Sequence, residues 1–291
     1  MYFYVYKGAF ALFQIWKEHR HFGKQVLLLS INELKKTYKG AFLGFGWAVI
    51  KPAVTLFSLW FLFALGLRGN SIRHGEFGVF SFLLVGYIPW FFMNDSIIFG
   101  TRCIRTNSQF VTKISYPVST IMTFTNISKF YIHIILSVLM YIVLMFTGEV
   151  GPMIQNIQWF FYAPLMLLFF MGLSWVNAPL AVFSRDFENF INAIITMLFW
   201  VSGTLFDTYE LDNRFLRAIM YCNPITYFIN GFRKTFLYGE WFWQHSSTMA
   251  NGHVLYSSFW ENAIFFAELI FVIAFGSWNY KRTRKTMPDI L

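Results

Sequence analysis

Four ionisable side chains, Asp95, Lys129, His133 and Glu268, fall within or at the edge of runs of otherwise apolar sequence. Charge in such a setting is costly, so these residues point to a proton relay, to mutual pairing or to a polar cavity. They are dispersed over separate runs, which favours pairing or a cavity over a relay. A second chemistry is offered by Trp90, Phe91 and Phe92, which follow Pro89 directly, with Tyr87 just before them and Phe199 and Phe206 in a later run. Aromatic faces stack on the C–H faces of sugar rings as well as on one another. Helix packing and a glycan-conducting path are both open readings of this set.

Other chemistries lack their residues. The Gly-Lys pair at Gly23-Lys24 is followed by Gln25 and has no preceding glycine at phosphate-loop spacing, so this chain is not expected to bind ATP. His19 and His21 flank Arg20 without an H-E-x-x-H pattern, and Cys103 and Cys222 do not form a paired ligand motif, so no metal or cofactor is expected on the chain. No G-x-S-x-G elbow occurs. Lys51 lies near the end of an apolar run and can snorkel, so it receives no chemical role.

The elements that would hold these residues are membrane helices. Of 291 residues, 57% are hydrophobic and 13% charged, against about 25% charged in an average soluble domain. Six runs approach the roughly 20 residues that cross a bilayer: 47–67, 79–100, 130–146, 159–183, 190–206 and 262–280. Lys and Arg crowd the chain before the first run and the tail at 281–291, which places both termini in the cytosol. The inward loops then carry Arg102, Arg105, Lys113 and Arg185, and the outward loop 148–158 carries no Lys or Arg. The two cysteines fall on opposite sides of the membrane and should not pair.

The outward stretch 207–253 breaks the charge rule, with Arg214, Arg217, Arg233 and Lys234, and holds apolar patches interrupted by Pro224. It reads as two short helices that dip into the outer leaflet and cover the space between the spans. Residues 24–38 have one apolar face, which fits a helix lying in the interface or packed on its neighbours. The net charge of +9 suits anionic lipid headgroups, and there is no compact basic domain for nucleic acid. The first 21 residues lack the layout of a signal peptide and are expected to stay in the mature protein. No internal repeat supports an inverted-repeat transporter.

The order of these pieces resembles the membrane subunit of polysaccharide-exporting ATP-binding-cassette transporters, the type-2 export permeases. The resemblance rests on KTYKGAFLGFGWAVIKP (36–52), VGYIPWFF (85–92), TNSQFVTKISYP (106–117), SRDFENF (184–190) and CNPITYFINGFRKTFLYGEWFW (222–243). Within that family, FLFALGLRGN (61–70) and GEWFWQH (239–245) are most similar to the teichoic acid translocation permeases of Gram-positive bacteria.

The resemblance implies an all-α integral membrane protein of the bacterial plasma membrane with six spans over 47–280. Cytosolic or interfacial helices would occupy 1–46, a coupling helix 106–117 and external gate helices 207–245. It implies a homodimer that engages a separate ATPase subunit, which carries the ATP and Mg, and that moves a lipid-linked cell-wall glycan outward. Asn107, Phe110, Val111, Lys113 and Tyr116 would meet the ATPase. Asn223, Pro224, Tyr227 and Arg233 would form the external gate, and Arg185 and Asp186 an inner-face pair. Tyr87, Trp90, Phe91, Phe92, Phe199 and Phe206 are the candidate glycan path. Wall teichoic acid is the leading cargo, with capsular polysaccharide or O-antigen as the alternative. A multi-span transferase of envelope synthesis, with Asp95 or His133 as base, is the rival from another class, and a drug or lipid exporter is a third.

Overall fold

A computed structural model of the chain describes residues 2–63, 73–74, 77–114, 116–148, 150–211, 213–244 and 258–291. Side chains are described from residue 12 onward, apart from those of Arg73, His74, Glu210 and Arg214. The described chain is almost wholly helical. Helix α1 (Tyr2–Tyr38) leads through a short 3-10 turn at Gly44–Gly46 into α2 (Trp47–Leu62). A two-residue hairpin, β1 (Arg73–His74) and β2 (Phe77–Gly78), precedes α3 (Val79–Thr106). There follow α4 (Gln109–Thr112), α5 (Val118–Thr147), α6 (Trp159–Phe183), α7 (Arg185–Val201), α8 (Arg214–Tyr221), α9 (Pro224–Arg233) and α10 (Ser258–Thr283).

Five helical stretches among the described residues are long and apolar enough to cross a membrane: Gly44–Leu62, Val79–Thr106, Val118–Thr147, Ile154–Phe183 and Ser258–Thr283. The run at 190–206 takes a different form. Helix α7 begins earlier, at Arg185, and ends at Val201, and Gly203 has a left-handed φ of 74° that the helix could not continue through. The run at 130–146 is the C-terminal part of a longer helix that starts at Val118. Its first turns are rich in Ser, Thr and Asn, which read as loop in a hydropathy window. These side chains are nevertheless buried, and Thr123 and Asn126 donate to carbonyls four residues back. The end of the first run, 64–67, lies outside the described residues, as does most of FLFALGLRGN beyond residue 63.

Helix α3 is the centre of the assembly. It packs against α2, α5, α6, α7 and α9, while α10 lies on α6 and α1 lies on α5 and α10. Close approach to α3 depends on glycine. A Cβ on Gly100 would stand 2.2 Å from Ser174 Oγ of α6, and one on Gly86 would stand 2.8 Å from Arg233 Nη2 and 3.0 Å from the Thr204 carbonyl. Two apolar clusters result. The larger gathers Phe82, Phe92, Phe170, Phe228 and Phe265 around α3, α6, α9 and α10. The smaller joins Ile15 and Val26 of α1 to Ile104, Val111, Ile121 and Phe124. Glu18 fastens α1 beside this second cluster, accepting from Arg284 (2.8 Å), from Tyr280 (3.1 Å) and from the Ser119 hydroxyl.

Helix α9 meets α6 at Gly231, where a Cβ would stand 2.3 Å from a ring carbon of the buried Tyr162. Gly231→Ala is therefore expected to destabilise the protein by about 1–3 kcal/mol, read as a lowered Tm in detergent. Gly151→Ala, where nothing lies within 4 Å, should leave Tm unchanged.

Candidate functional site

The aromatic residues singled out from sequence divide into two environments. Tyr87, Trp90 and Phe91 of α3 and Phe199 of α7 line one cleft of about 470 Å3. The Trp90 and Phe199 rings lie 5.3 Å apart and those of Tyr87 and Phe199 6.5 Å apart, edge to face. The rest of the wall is mostly polar, with Lys51 and Thr55 from α2, Asn94 and Asp95 from α3, and Asn192 and Thr196 from α7, beside Ile98 and Ile195. Phe92 instead turns the other way. It is 1% exposed and packs against Phe130, His133 and Phe170. Phe206 also stays out of the cleft wall, and its carbonyl accepts a hydrogen bond from Arg233.

Of the four ionisable residues in apolar runs, only Asp95 lines this cleft. His133 is enclosed by the rings of Phe92, Phe130 and Phe232, at 5.3, 5.8 and 5.5 Å. Lys129 rests its ammonium 3.5 Å from the centre of the Phe99 ring. Glu268 sits on α10, half-buried. Asp95 and His133, the two bases of a transferase reading, thus belong to different surroundings.

At the end of α3, Asn107 is buried and donates to the Cys103 carbonyl, closing the helix. One helical turn, α4, follows. Val111 is buried in the smaller apolar cluster, and the Phe110 ring lies 5.9 Å from Phe124 and 5.7 Å from Tyr116. Tyr116 packs edge-on against Phe22 of α1 at 5.1 Å. Lys113 and Ile114 face outward, with Ile114 60% exposed. Sequence patterning overlooked Ile114, because an isolated aliphatic residue in a polar loop carries no periodic signal.

Arg185 and Asp186 are both exposed at the start of α7, where Asp186 and Glu188 suit the positive end of the helix dipole. The cross-helix tie at this face is made by other residues. Arg105 of α3 bonds Glu188 at 3.0 Å and also donates to the Ala181 carbonyl. Their separation of 83 positions left no trace in local sequence.

The segment after α7 is held by α9. Asn223 caps α9, accepting from the Ile225 N–H at 3.1 Å and donating to Ser202 Oγ at 2.9 Å, and Pro224 occupies the first turn, where its missing N–H costs nothing. Tyr227 donates to Asn262 at 2.9 Å and stacks on Phe265 at 3.9 Å. Arg233, fully buried, donates to the carbonyls of Gly203 (2.8 Å), Phe206 (3.1 Å) and Thr204 (3.0 Å) and covers the Phe82 ring at 3.7 Å. Beside it Lys234 pairs with Glu261 of α10 at 3.1 Å, and Glu261 accepts from Asn230, which accepts from Thr208.

The profile of the ABC-2 type transporter family matches residues 24–237. The chain belongs to this family. The matched stretch runs from within α1 through α9, so the cleft, the α4 segment and the Arg233 cluster all fall inside it. The chain is similar to the O-antigen export system permease protein RfbA of Klebsiella pneumoniae, with 25% identity over 228 residues, 77% of this chain and 84% of that protein. It is likewise similar to the protein of the same name from Myxococcus xanthus, with 26% identity over 216 residues, 72% of this chain and 80% of the relative. This ABC-2 permease is accordingly a multi-pass membrane protein and the transmembrane part of an exporter.

The Arg233 cluster predicts a sharp stereochemical demand. Arg233→Met leaves three buried carbonyls without their donor and is expected to cost at least about 2 kcal/mol in thermal unfolding. Arg233→Lys should recover little of this, since one ammonium cannot reproduce the fork that reaches all three.

Proposed function

We propose that this ABC-2 permease exports a lipid-linked surface polysaccharide across the bacterial plasma membrane, driven by ATP hydrolysis on a separate subunit. The observation that carries the reading is the cleft between α2, α3 and α7. It combines flat aromatic faces at Tyr87, Trp90, Phe91 and Phe199 with amide, hydroxyl and charged groups in a membrane-embedded wall. Sugars present the matching surface, C–H faces that stack on rings and hydroxyls that need partners. The similarity to O-antigen export permeases favours an O-antigen-type glycan over wall teichoic acid, the cargo suggested by the short runs at 61–70 and 239–245.

Both termini lie in the cytosol in this reading, with α7 and the buried segment to Phe206 as the sixth crossing. Helix α7 alone has 17 residues, about 25 Å long, a little short of the roughly 30 Å hydrocarbon core. A second copy completes the path. The flanks of the cleft, Phe57 and Phe61 on α2 and Met197 and Trp200 on α7, are more than half exposed and offer it an apolar face. The outward helices α8 and α9 form the external gate, with Arg233 and Asn223 as its fixed base and Tyr227 tying it to α10.

Segment 106–117 couples the permease to the ATPase, which holds the ATP and Mg. Asn107, Phe110, Val111 and Tyr116 anchor the segment, and Lys113 and Ile114 enter the ATPase cleft. Arg185 and Asp186 lie on the same inner face. Closure of the ATPase dimer on ATP would move α4, and through its packing α3 and the cleft wall.

Lys113→Glu with Ile114→Asp is expected to abolish copurification of the cognate ATPase from solubilised membranes while Tm holds. Retention of the ATPase would remove the coupling role. Trp90→Ala with Phe199→Ala should keep the ATPase bound yet lower surface polysaccharide at least about tenfold, a loss of roughly 1.4 kcal/mol or more in the interactions that guide the chain. Normal display of the polysaccharide by that variant would exclude the cleft as its route.

A further inference from the structure

A second polar cavity, of about 400 Å3, lies at the other side of α3, between α1, α3 and α5. Its wall includes Glu33 and Lys36 of α1, Phe99 and Arg102 of α3, Asn107, and Thr125 of α5. Two cations converge on one ring here. Arg102 places its guanidinium carbon 4.2 Å from the centre of Phe99, and Lys129 its ammonium 3.5 Å from the same centre. Among the described residues neither makes a carboxylate ion pair within 4 Å. Glu33, the acidic group in the wall, is engaged with Lys36 at 3.8 Å, and Asp95, one turn from Phe99 along α3, lines the neighbouring cleft with Lys51 while remaining within electrostatic reach of Lys129 and Arg102. Thr125 is 3% exposed, and its hydroxyl, buried in the wall, has no hydrogen-bond partner among the described residues.

We infer that this cavity binds the phosphate of an anionic lipid headgroup from the cytosolic leaflet. Arg102 supplies the charge-assisted hydrogen bonds, the Thr125 hydroxyl donates from the back wall, and Lys36 and Lys129 add positive potential. An anion beside Arg102 offsets the repulsion between the two cations and satisfies the unpartnered hydroxyl in one step. Asn107 shares the wall, so the ligand sits at the root of the proposed coupling segment. A bound headgroup would brace α1 against the end of α3 from which α4 departs. The inference rests on the inward orientation proposed above for this end of α3.

The test uses the full chain in detergent micelles, titrated with dioctanoylphosphatidylglycerol, dioctanoylphosphatidylcholine or inorganic phosphate, with binding read from Tm and native mass spectrometry. Phosphatidylglycerol is expected to raise Tm and remain bound where phosphatidylcholine does not. Arg102→Gln should weaken it at least about tenfold, and Thr125→Val by a few-fold, while Arg20→Gln on the exposed part of α1 leaves it unchanged. If Arg102→Gln fails to fold, Thr125→Val carries the comparison. Saturation by inorganic phosphate alone, with the same sensitivity to Arg102, supports the phosphate site and assigns it a soluble ligand. Equal binding by wild type and both variants, or no response to any of the three probes, overturns it. Binding here requires neither ATPase nor transport, so its failure leaves the exporter reading standing, and loss of export with binding intact counts against that reading alone.

Discussion

The buried guanidinium of Arg233 is the interaction on which the half of the molecule that holds the turn after α7 and helix α9 depends. Helix α7 ends at Val201, and the chain then doubles back through Gly203, exposing carbonyls that would be stranded in a region with little water. Three of them find donors on a single side chain, whose charge is further met by the face of Phe82. An arginine suits this place because its planar fork reaches several acceptors at once and stays charged. Gly86 of α3 is the complementary requirement, since any side chain there would occupy the space of the fork and of the Thr204 carbonyl. One cation thereby joins α3, the turn after α7 and α9 into a unit.

That unit decides how motion can travel. Helix α3 packs against α2, α5, α6, α7 and α9, and its two ends meet different partners. At one end it meets Arg233 and helix α9. At the other it is closed by Asn107, tied to α7 by Arg105–Glu188, and continued by α4 with its buried Val111. In the coupling proposed above, a displacement of α4 would be handed to a helix that forms one wall of the aromatic cleft and one wall of the cationic cavity. Close-packed interiors resist gradual deformation, so such a displacement is expected to move α3 as a body.

Much of this was legible in composition and pattern. The apolar runs at 79–100 and 159–183 lie within α3 and coincide with α6, because long uninterrupted apolar stretches have little choice in a bilayer. The break at Asn223-Pro224 announced two short helices, and a cap residue followed by proline is a local signal that needs no tertiary context. The early start of α5 was hidden, since Ser, Thr and Asn look like loop until their hydroxyls and amides are seen to fold back on their own helix. The inward turn of Phe110 and Val111 was hidden as well. A four-residue helix is too short to display a period, and only the neighbouring α1 and α5 show which side is covered.

The sequence by itself determined that this chain lives in a membrane, that its longest apolar runs are helical, and that no phosphate loop accompanies its spans. These follow from counts and local motifs, and hydration costs enforce them whatever the fold. Only the tertiary structure decided which aromatics share a wall and which charges meet. Phe92 and Phe91 are adjacent in sequence yet face a packed core and an open cleft respectively, and Lys234 and Glu261 find each other across 27 positions. A helix turns about 100° per residue. The environment of each side chain is therefore set by the helix that packs beside it, which no local stretch of sequence contains.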